Sequence, residues 1–509
     1  MVCSPLSNIM VKIKQLVSQV RAQCIEGSLD RSVQGIAYDA RQVRPGMAFV
    51  AVPNGDGEIL ESFYTALDRG ASVIVCEPNL LHSRSATKIQ VGDARAVLAA
   101  LAAAWHGHPS RRLNVIGIAG DHPLNGAFAA LTRQFLEAAG MRTGLISSWR
   151  TELGERILPA GLQPLEALEV QQMLAGMVQG GCVACVIEMD MLAIARQSYS
   201  EVHFHQMIYH VARPGTTPRS KNGALGKRIR QARLTALTGG LNALNKVWQL
   251  ESDTGAWPGS AQLPEVRLSR SDEQQLRFRT SRLELHRSGS NVQFSVPGGT
   301  FDAELKLVGR SNVTQALSAM AVASCLGMTR VQMSHAMQQL QPAVGFRQVI
   351  NRGNPFLVVV DSAATPVALK DVLIDLQEIC AGKIILVTGG EGGADPAWRR
   401  LMGCVAAEHS HYTVVTSNNP GRESPETIAS EVCQGFLKKR QRGFHLELQR
   451  ELAIGDAIAL AQPGDVVLIT GKGPATFQHQ GAAMIPFDDA QRAQEALESL
   501  QHHTQALVS

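Results

Sequence analysis

The chain has 509 residues, 45% hydrophobic and 18% charged, with a formal charge of +4 at pH 7. Its length exceeds what one hydrophobic core holds and predicts about three domains, while so small a charge gives no support for nucleic-acid binding, which needs a clustered basic face. No run nears the ~18 apolar residues of a membrane span, no secretory pattern opens the chain, and nine irregularly spaced cysteines suit reduced thiols, so the expected location is cytoplasmic, without membrane insertion.

The first hundred residues predict a small α/β unit. Apolar runs at Met47–Val52 and Ser72–Cys76 alternate with helical patterns over Glu61–Arg69 and Ala94–Trp105. Breakers at His106-Gly107-His108-Pro109-Ser110 place a boundary near residue 112. A strand Leu113–Ala119, a helix Ala127–Ala139 stopped by Gly140 and a strand Arg142–Ser147 come next. A helix over Leu165–Gln179 leads to Val183–Met189, continuous enough for a strand buried on both faces. Leu276–Val308 alternates, with turns at Ser288-Gly289 and Pro297-Gly298-Gly299, as an antiparallel extension; a helix Asn312–Gly327 closes this part. Beyond Val349, apolar runs at Phe356–Val360, Lys383–Val387, Tyr412–Thr416 and Asp465–Thr470 alternate with helices near 366–379, 396–409, 424–438 and 451–461. That is an open, mostly parallel sheet with helices on both faces, whose ligand loops follow Val360, Val387, Thr416 and Thr470. The expected domains are 1–112, 113–341 and 342–509. The basic run Arg219–Arg233 reads as a solvated face, and only the tail after Leu500 reads as disordered.

After the strand ending at Ala119, where an ATPase puts its phosphate cradle, the chain reads Gly117-Ile118-Ala119-Gly120-Asp121-His122-Pro123-Leu124-Asn125-Gly126. A cradle ends in Gly-Lys-Ser/Thr, whose backbone, ammonium and hydroxyl serve phosphate and Mg²⁺. Here Pro123 removes an N–H, Leu124 has no charge and Asp121 adds a repelling one. Separately, Cys182-Val183-Ala184-Cys185 with His203-Phe204-His205 allows a metal or redox site, against which one lone pair running into a buried strand reads as small core cysteines.

Several segments in one order carry a resemblance. They are Tyr38-Asp39-Ala40-Arg41-Gln42-Val43-Arg44-Pro45-Gly46, Gly107-His108-Pro109-Ser110, Gly309-Arg310-Ser311-Asn312-Val313 and Val360-Asp361-Ser362-Ala363-Ala364-Thr365-Pro366. Leu401-Met402-Gly403, Thr416-Ser417-Asn418-Asn419-Pro420, Gly471-Lys472-Gly473 and Ile485-Pro486-Phe487-Asp488-Asp489 complete the run. Over almost its whole length the chain resembles the Mur ligases, on the branch that adds the third residue of the peptidoglycan stem peptide. The resemblance implies an α/β fold of three domains: a small N-terminal uridine-nucleotide domain, a central P-loop-like ATPase-type domain and a C-terminal Rossmann-like domain. It implies ATP and Mg²⁺ as cofactors and a UDP-N-acetylmuramoyl peptide as substrate. It assigns Asp39 and Arg41 to the UDP-substrate, Gly117, Gly120, Arg310, Asn312 and Asp361 to the nucleotide, and Glu188 to Mg²⁺. Asn419, Pro420, Arg422, Gly471 and Lys472 fall to the incoming amino acid.

The chemistry of those motifs is depleted. The family's Gly-Thr-Asn-Gly-Lys-Thr keeps only Gly120, and its Thr-Thr-Pro reads Leu162-Gln163-Pro164. Glu-Val-Ser-Ser-His reads Glu188-Met189-Asp190-Met191-Leu192, and the Arg-Asp-His loop reads Arg213-Pro214-Gly215. Lys227 is nearest the carbamylated lysine, and Asn-Ala-Asp-Asp reads Asn242-Ala243-Leu244-Asn245. Asp-Asn-Pro-Arg reads Asn418-Asn419-Pro420-Gly421 with Arg422 one step late, and Gly-Lys-Gly-His-Glu ends in Pro474-Ala475. Losing one phosphate or oxyanion contact typically lowers a rate by ~10²–10³, and several are gone together. The expectation is therefore a pseudoenzyme that does not use ATP, binding a UDP-muramoyl peptide or a cell-wall or division protein. The alternative is an active ligase with a rebuilt site using Arg422 and Lys221 or Lys227. Individual residues keep plainer alternatives: Glu188 or Arg310 and Asn312 as helix caps, and Lys472 as an exposed turn lysine.

Overall fold

A computed structural model describes residues 11–18, 22–53, 59–77, 86–120, 125–159, 164–210, 247–253, 263–270, 275–350, 353–481 and 483–508. The sequence readings at 121–124, 162–163, 213–233 and 242–245 lie outside them. Two compact units emerge, one from Met1–Ala119, Arg142–Tyr209 and Ser220–Val247, the other from Gly120–Met141, His210–Arg219 and Trp248–Ser509.

The first unit opens with a five-stranded sheet in the order Ala22–Glu26, Thr87–Val91, Val73–Cys76, Ala48–Val50, Ile36–Ala37. Its helix Ala94–Trp105 begins where Asp93 accepts hydrogen bonds from the Arg95 and Ala96 amides, and buries Val97, Leu98 and Leu101 against Val50, Val75 and Ile89. A second set of strands, Thr143–Ile146, Ala184–Glu188, Asn114–Ala119 and Gln206–His210, runs parallel in that order. The apolar runs read as buried strands are these, and Cys182 and Cys185 lie buried with them, as core cysteines.

In the second unit the helix Asn125–Ala138 packs on the helix Arg310–Cys325. Hairpins at Ser288-Gly289 and Pro297-Gly298 join Gln275–His286, Gly289–Val296 and Gly299–Leu305 in antiparallel register. The C-terminal sheet has the order Gln348–Ile350, Leu357–Asp361, Val466–Thr470, Ile384–Thr388, Tyr412–Val415, Phe444–Leu446, parallel except for its first strand. Three helices start at prolines 366, 396 and 425, each behind a capping Thr365, Asp395 or Ser424, so their starts follow from sequence alone. Pro366–Gln377 and Pro396–His409 cover one face, through Leu369 and Met402 on Val359 and Leu386. Arg450–Leu460 and Asp489–Val508 cover the other, through Ile454 and Leu497 on Val360 and Val387. The chain thus returns to insert Val466–Thr470 between two earlier strands, and its direction switches at the carboxyl end of that strand, where such sheets form ligand crevices. The tail expected to be disordered instead continues this last helix to Val508, beyond the stretch where Ala493 and Leu497 are buried. No helix among the described residues is long and apolar enough to cross a membrane.

Candidate functional site

The described residues on either side of the expected cradle segment, Gly120 and Asn125, are hydrogen-bonded to each other. Asn125, 5% exposed, opens its helix and donates from Nδ2 to the Gly120 carbonyl (3.0 Å), while Oδ1 faces His210 Nδ1 at 2.9 Å. With the amide so oriented, His210 carries its proton on Nδ1 and donates it. The ring also meets Phe128 edge-on at 5.5 Å. Gly120 has φ +125°, and a Cβ there would lie 2.3 Å from the His210 carbonyl oxygen. Gly117 is likewise tight for packing, since a Cβ would lie 2.7 Å from Met189 Sδ.

Glu188 ends its strand in the first unit. Its Oε2 accepts from both the backbone N–H and the hydroxyl of Ser148, each at 2.9 Å. Burial raises its pKa, the Ser148 bonds pull the other way and Asp190 adds repulsion. The helix-cap alternative for Glu188 is wrong: Asp190 performs that task, accepting from the amides of Leu192 and Ala193.

Asp361 sits at a strand's carboxyl end as expected, but 1% exposed and fully engaged. Its Oδ1 accepts from the Ala363 amide (2.9 Å), and its Oδ2 from the backbone N–H (3.0 Å) and Nη1 (3.2 Å) of Arg347. Burial raises the Asp361 pKa and Arg347 opposes it. Arg310 pairs through Nε with both oxygens of Glu378, and Asn312 donates from Nδ2 to the Val308 carbonyl (3.2 Å). Neither side chain accepts the helix's first amides; Asp375 does, from Arg310 N (2.7 Å) and Ser311 N (3.2 Å). A carboxylate reaching in from another helix left no trace in the local motif.

At the switch point, Lys472 is 4% exposed rather than an exposed turn residue. Its ammonium donates to the Phe477 carbonyl and, at 3.4 Å, to Asn419 Oδ1, and lies 5.8 Å above the Phe487 ring. Burial pushes its pKa down to about 8, Arg450 adds to that, and Asp489 and Glu391 oppose it. Asn418 and Asn419 donate to Glu391 Oε1 at 2.8 and 3.4 Å. Pro420 closes against Gly392, Gly471 against Asn418, and Arg422 projects into solvent. In the first unit, Asp39 accepts from the Arg41 amide (2.9 Å) and binds its guanidinium through both oxygens, which lowers the Asp39 pKa. Arg41 is 85% exposed there. Next to it, Tyr38 donates its hydroxyl to Glu169 Oε1 (2.5 Å).

The fold and the motif positions define a Mur-ligase-type protein, and comparison with known proteins agrees. The family described as "Mur ligase, glutamate ligase domain" matches residues 347–473. The UDP-N-acetylmuramyl-tripeptide synthetase of Roseiflexus sp. strain RS-1 is 31% identical over 500 residues, covering 92% of this chain and 95% of its own. The UDP-N-acetylmuramoyl-L-alanyl-D-glutamate–2,6-diaminopimelate ligase of Syntrophomonas wolfei is 28% identical, covering 96% and 99%. A solved structure of a ligase of that name superposes with a TM-score of 0.60 at 21% identity, over 97% of this chain and all of that one. The chain belongs to the Mur ligase family and is related to the UDP-N-acetylmuramoyl-peptide ligases of peptidoglycan synthesis.

Proposed function

We propose that this chain is a non-catalytic Mur ligase homologue that binds a UDP-N-acetylmuramoyl peptide and acts as a binding or regulatory protein of cell-wall synthesis. The observation that carries this reading is Asn125, which stands where the family's Mg²⁺-binding hydroxyl stands and spends both ends of its amide on Gly120 and His210. Asp361 has both carboxylate oxygens engaged, and Glu188 one. Among the described residues no three His, Cys, Asp or Glu side chains group as metal ligands. Asn125 and Asp361, engaged in this way within their own unit, do not suit an Mg²⁺–nucleotide. Arg41, exposed and gripped by Asp39 through both carboxylate oxygens, is the part of the family pattern this reading assigns to a uridine diphosphate. The boundaries near 112 and 341 belong to the same proposal. The experiment is phosphate release from MgATP with UDP-N-acetylmuramoyl-dipeptide and diaminopimelate or lysine, beside titration of the UDP-peptide alone. The reading expects binding without turnover; turnover at a family member's rate refutes it in favour of a rebuilt ligase.

A further inference from the structure

Beside the switch strand Val466–Thr470, the carboxyl end of Leu357–Asp361 carries a buried cluster of the chain's own charges. Arg347, 3% exposed, enters it from the segment just before Gln348–Ile350. Its Nε–H donates to Asp375 Oδ2 (3.0 Å), Nη1 to Asp361 Oδ2 (3.2 Å) and Nη2 to Ser311 Oγ (3.2 Å). One guanidinium therefore joins the end of the strand Leu357–Asp361, the helix Pro366–Gln377 and the first turn of the helix Arg310–Cys325. To do so it adopts φ +46°, a left-handed conformation that a non-glycine residue keeps only when its surroundings over-determine it. Gly309, at φ +86°, lets Asp375 reach the helix: a Cβ there would lie 2.6 Å from Asp375 Oδ2. Outside this knot Arg310 adds the pair with Glu378, at 2.8 Å. Gly345 lies against Gly473 and Pro474, with 2.0 Å between its built Cβ and Pro474 N, so no side chain fits at that position.

We infer that Arg347, Asp361 and Asp375 form a permanent clasp that fixes the C-terminal sheet on the helix Arg310–Cys325 without any nucleotide. Two cations, Arg347 and Arg310, face three carboxylates, Asp361, Asp375 and Glu378, and each carboxylate is in direct ion contact with one of them. Breaking the clasp uncovers buried charge, which the remaining partners cannot neutralise.

Hydrogen–deuterium exchange of the full chain tests it, read on peptides spanning 309–312 and 361–364. The wild type is expected to show slow exchange there without ligand and no change with MgATP. Arg347→Met is expected to raise exchange at both peptides together by about 100-fold or to fail to fold. Asp375→Asn, which keeps an acceptor for the helix amide, is the deciding variant, with a rise of about tenfold at both. Fast exchange in the unliganded wild type, added protection on MgATP, or an Asp375→Asn variant matching the wild type overturns the clasp.

Discussion

Replacing Asn125 by alanine separates a structural role from a nucleotide-binding one. The substitution deletes two buried hydrogen bonds, from Nδ2 to Gly120 and from His210 to Oδ1. His210 is 0% exposed, so a donor there loses its partner without gaining water. A buried polar group left unsatisfied costs about 1–3 kcal/mol, and two such losses give roughly 2–4 kcal/mol after the small gain in helix propensity. Expressed as local opening, that is a rise in amide exchange of about 30-fold or more, read by mass spectrometry on peptides covering 125–138. Urea unfolding followed by circular dichroism supplies the global figure, with the midpoint falling. If Asn125→Ala exchanges like the wild type while MgATP protects the wild-type helix, the amide is free for ligand and the reasoning fails.

Glu188→Gln tests a carboxylate kept buried without a metal. Burial raises the Glu188 pKa above its unfolded value, so the folded protein carries a desolvation cost whenever that group is charged. The variant is expected to be at least as stable as the wild type at pH 8, the difference shrinking as pH falls through the raised pKa; a variant that melts lower at every pH contradicts this. Lys472→Met slopes oppositely in the alkaline range. With its folded pKa pushed down to about 8, the wild-type ammonium is penalised below that pH and the penalty fades toward 10.5. Wild-type stability should therefore rise relative to the variant from pH 8 to 10.5, and a flat difference in melting temperature refutes the assignment. Glu166→Gln weakens a buried carboxylate that binds Arg95 at 2.9 Å and Arg196 at 3.4 Å, leaving two partly buried cations. A loss of about 3 kcal/mol or more is expected from breaking such a pair, against less than 1 kcal/mol if the cluster behaves as a surface one.

Where local chemistry decides, the sequence was read correctly. Pro366, Pro396 and Pro425 behind their caps gave helix starts to within a residue or two, and continuous apolar runs gave the parallel strands. The segment after Leu500 differs from its expectation because it extends a helix that is anchored upstream, at Ala493 and Leu497. The fate of the candidate site was only half visible. That Pro123 brings no N–H and Leu124 no charge follows from their chemistry, but that Asn125 bonds inward requires His210, 85 residues away. Likewise, nothing around Arg347 announces that it reaches Asp375, 28 residues on, or that Asp375 caps a helix 64 residues earlier. Lys472, flanked by two glycines, has the pattern of an exposed turn; the fold buries it because the strand pair Phe477–Gln480 and Ala483–Pro486 places the Phe477 carbonyl over its amine.

Calorimetric titration of the purified full-length protein with MgATP, beside an intact diaminopimelate-adding ligase, addresses the central claim most directly. The account predicts no saturable heat and no thermal stabilisation at millimolar nucleotide, with the control binding normally. Saturable binding in the micromolar range would contradict it, and would mean that the Asn125, Glu188 and Asp361 contacts open to admit nucleotide.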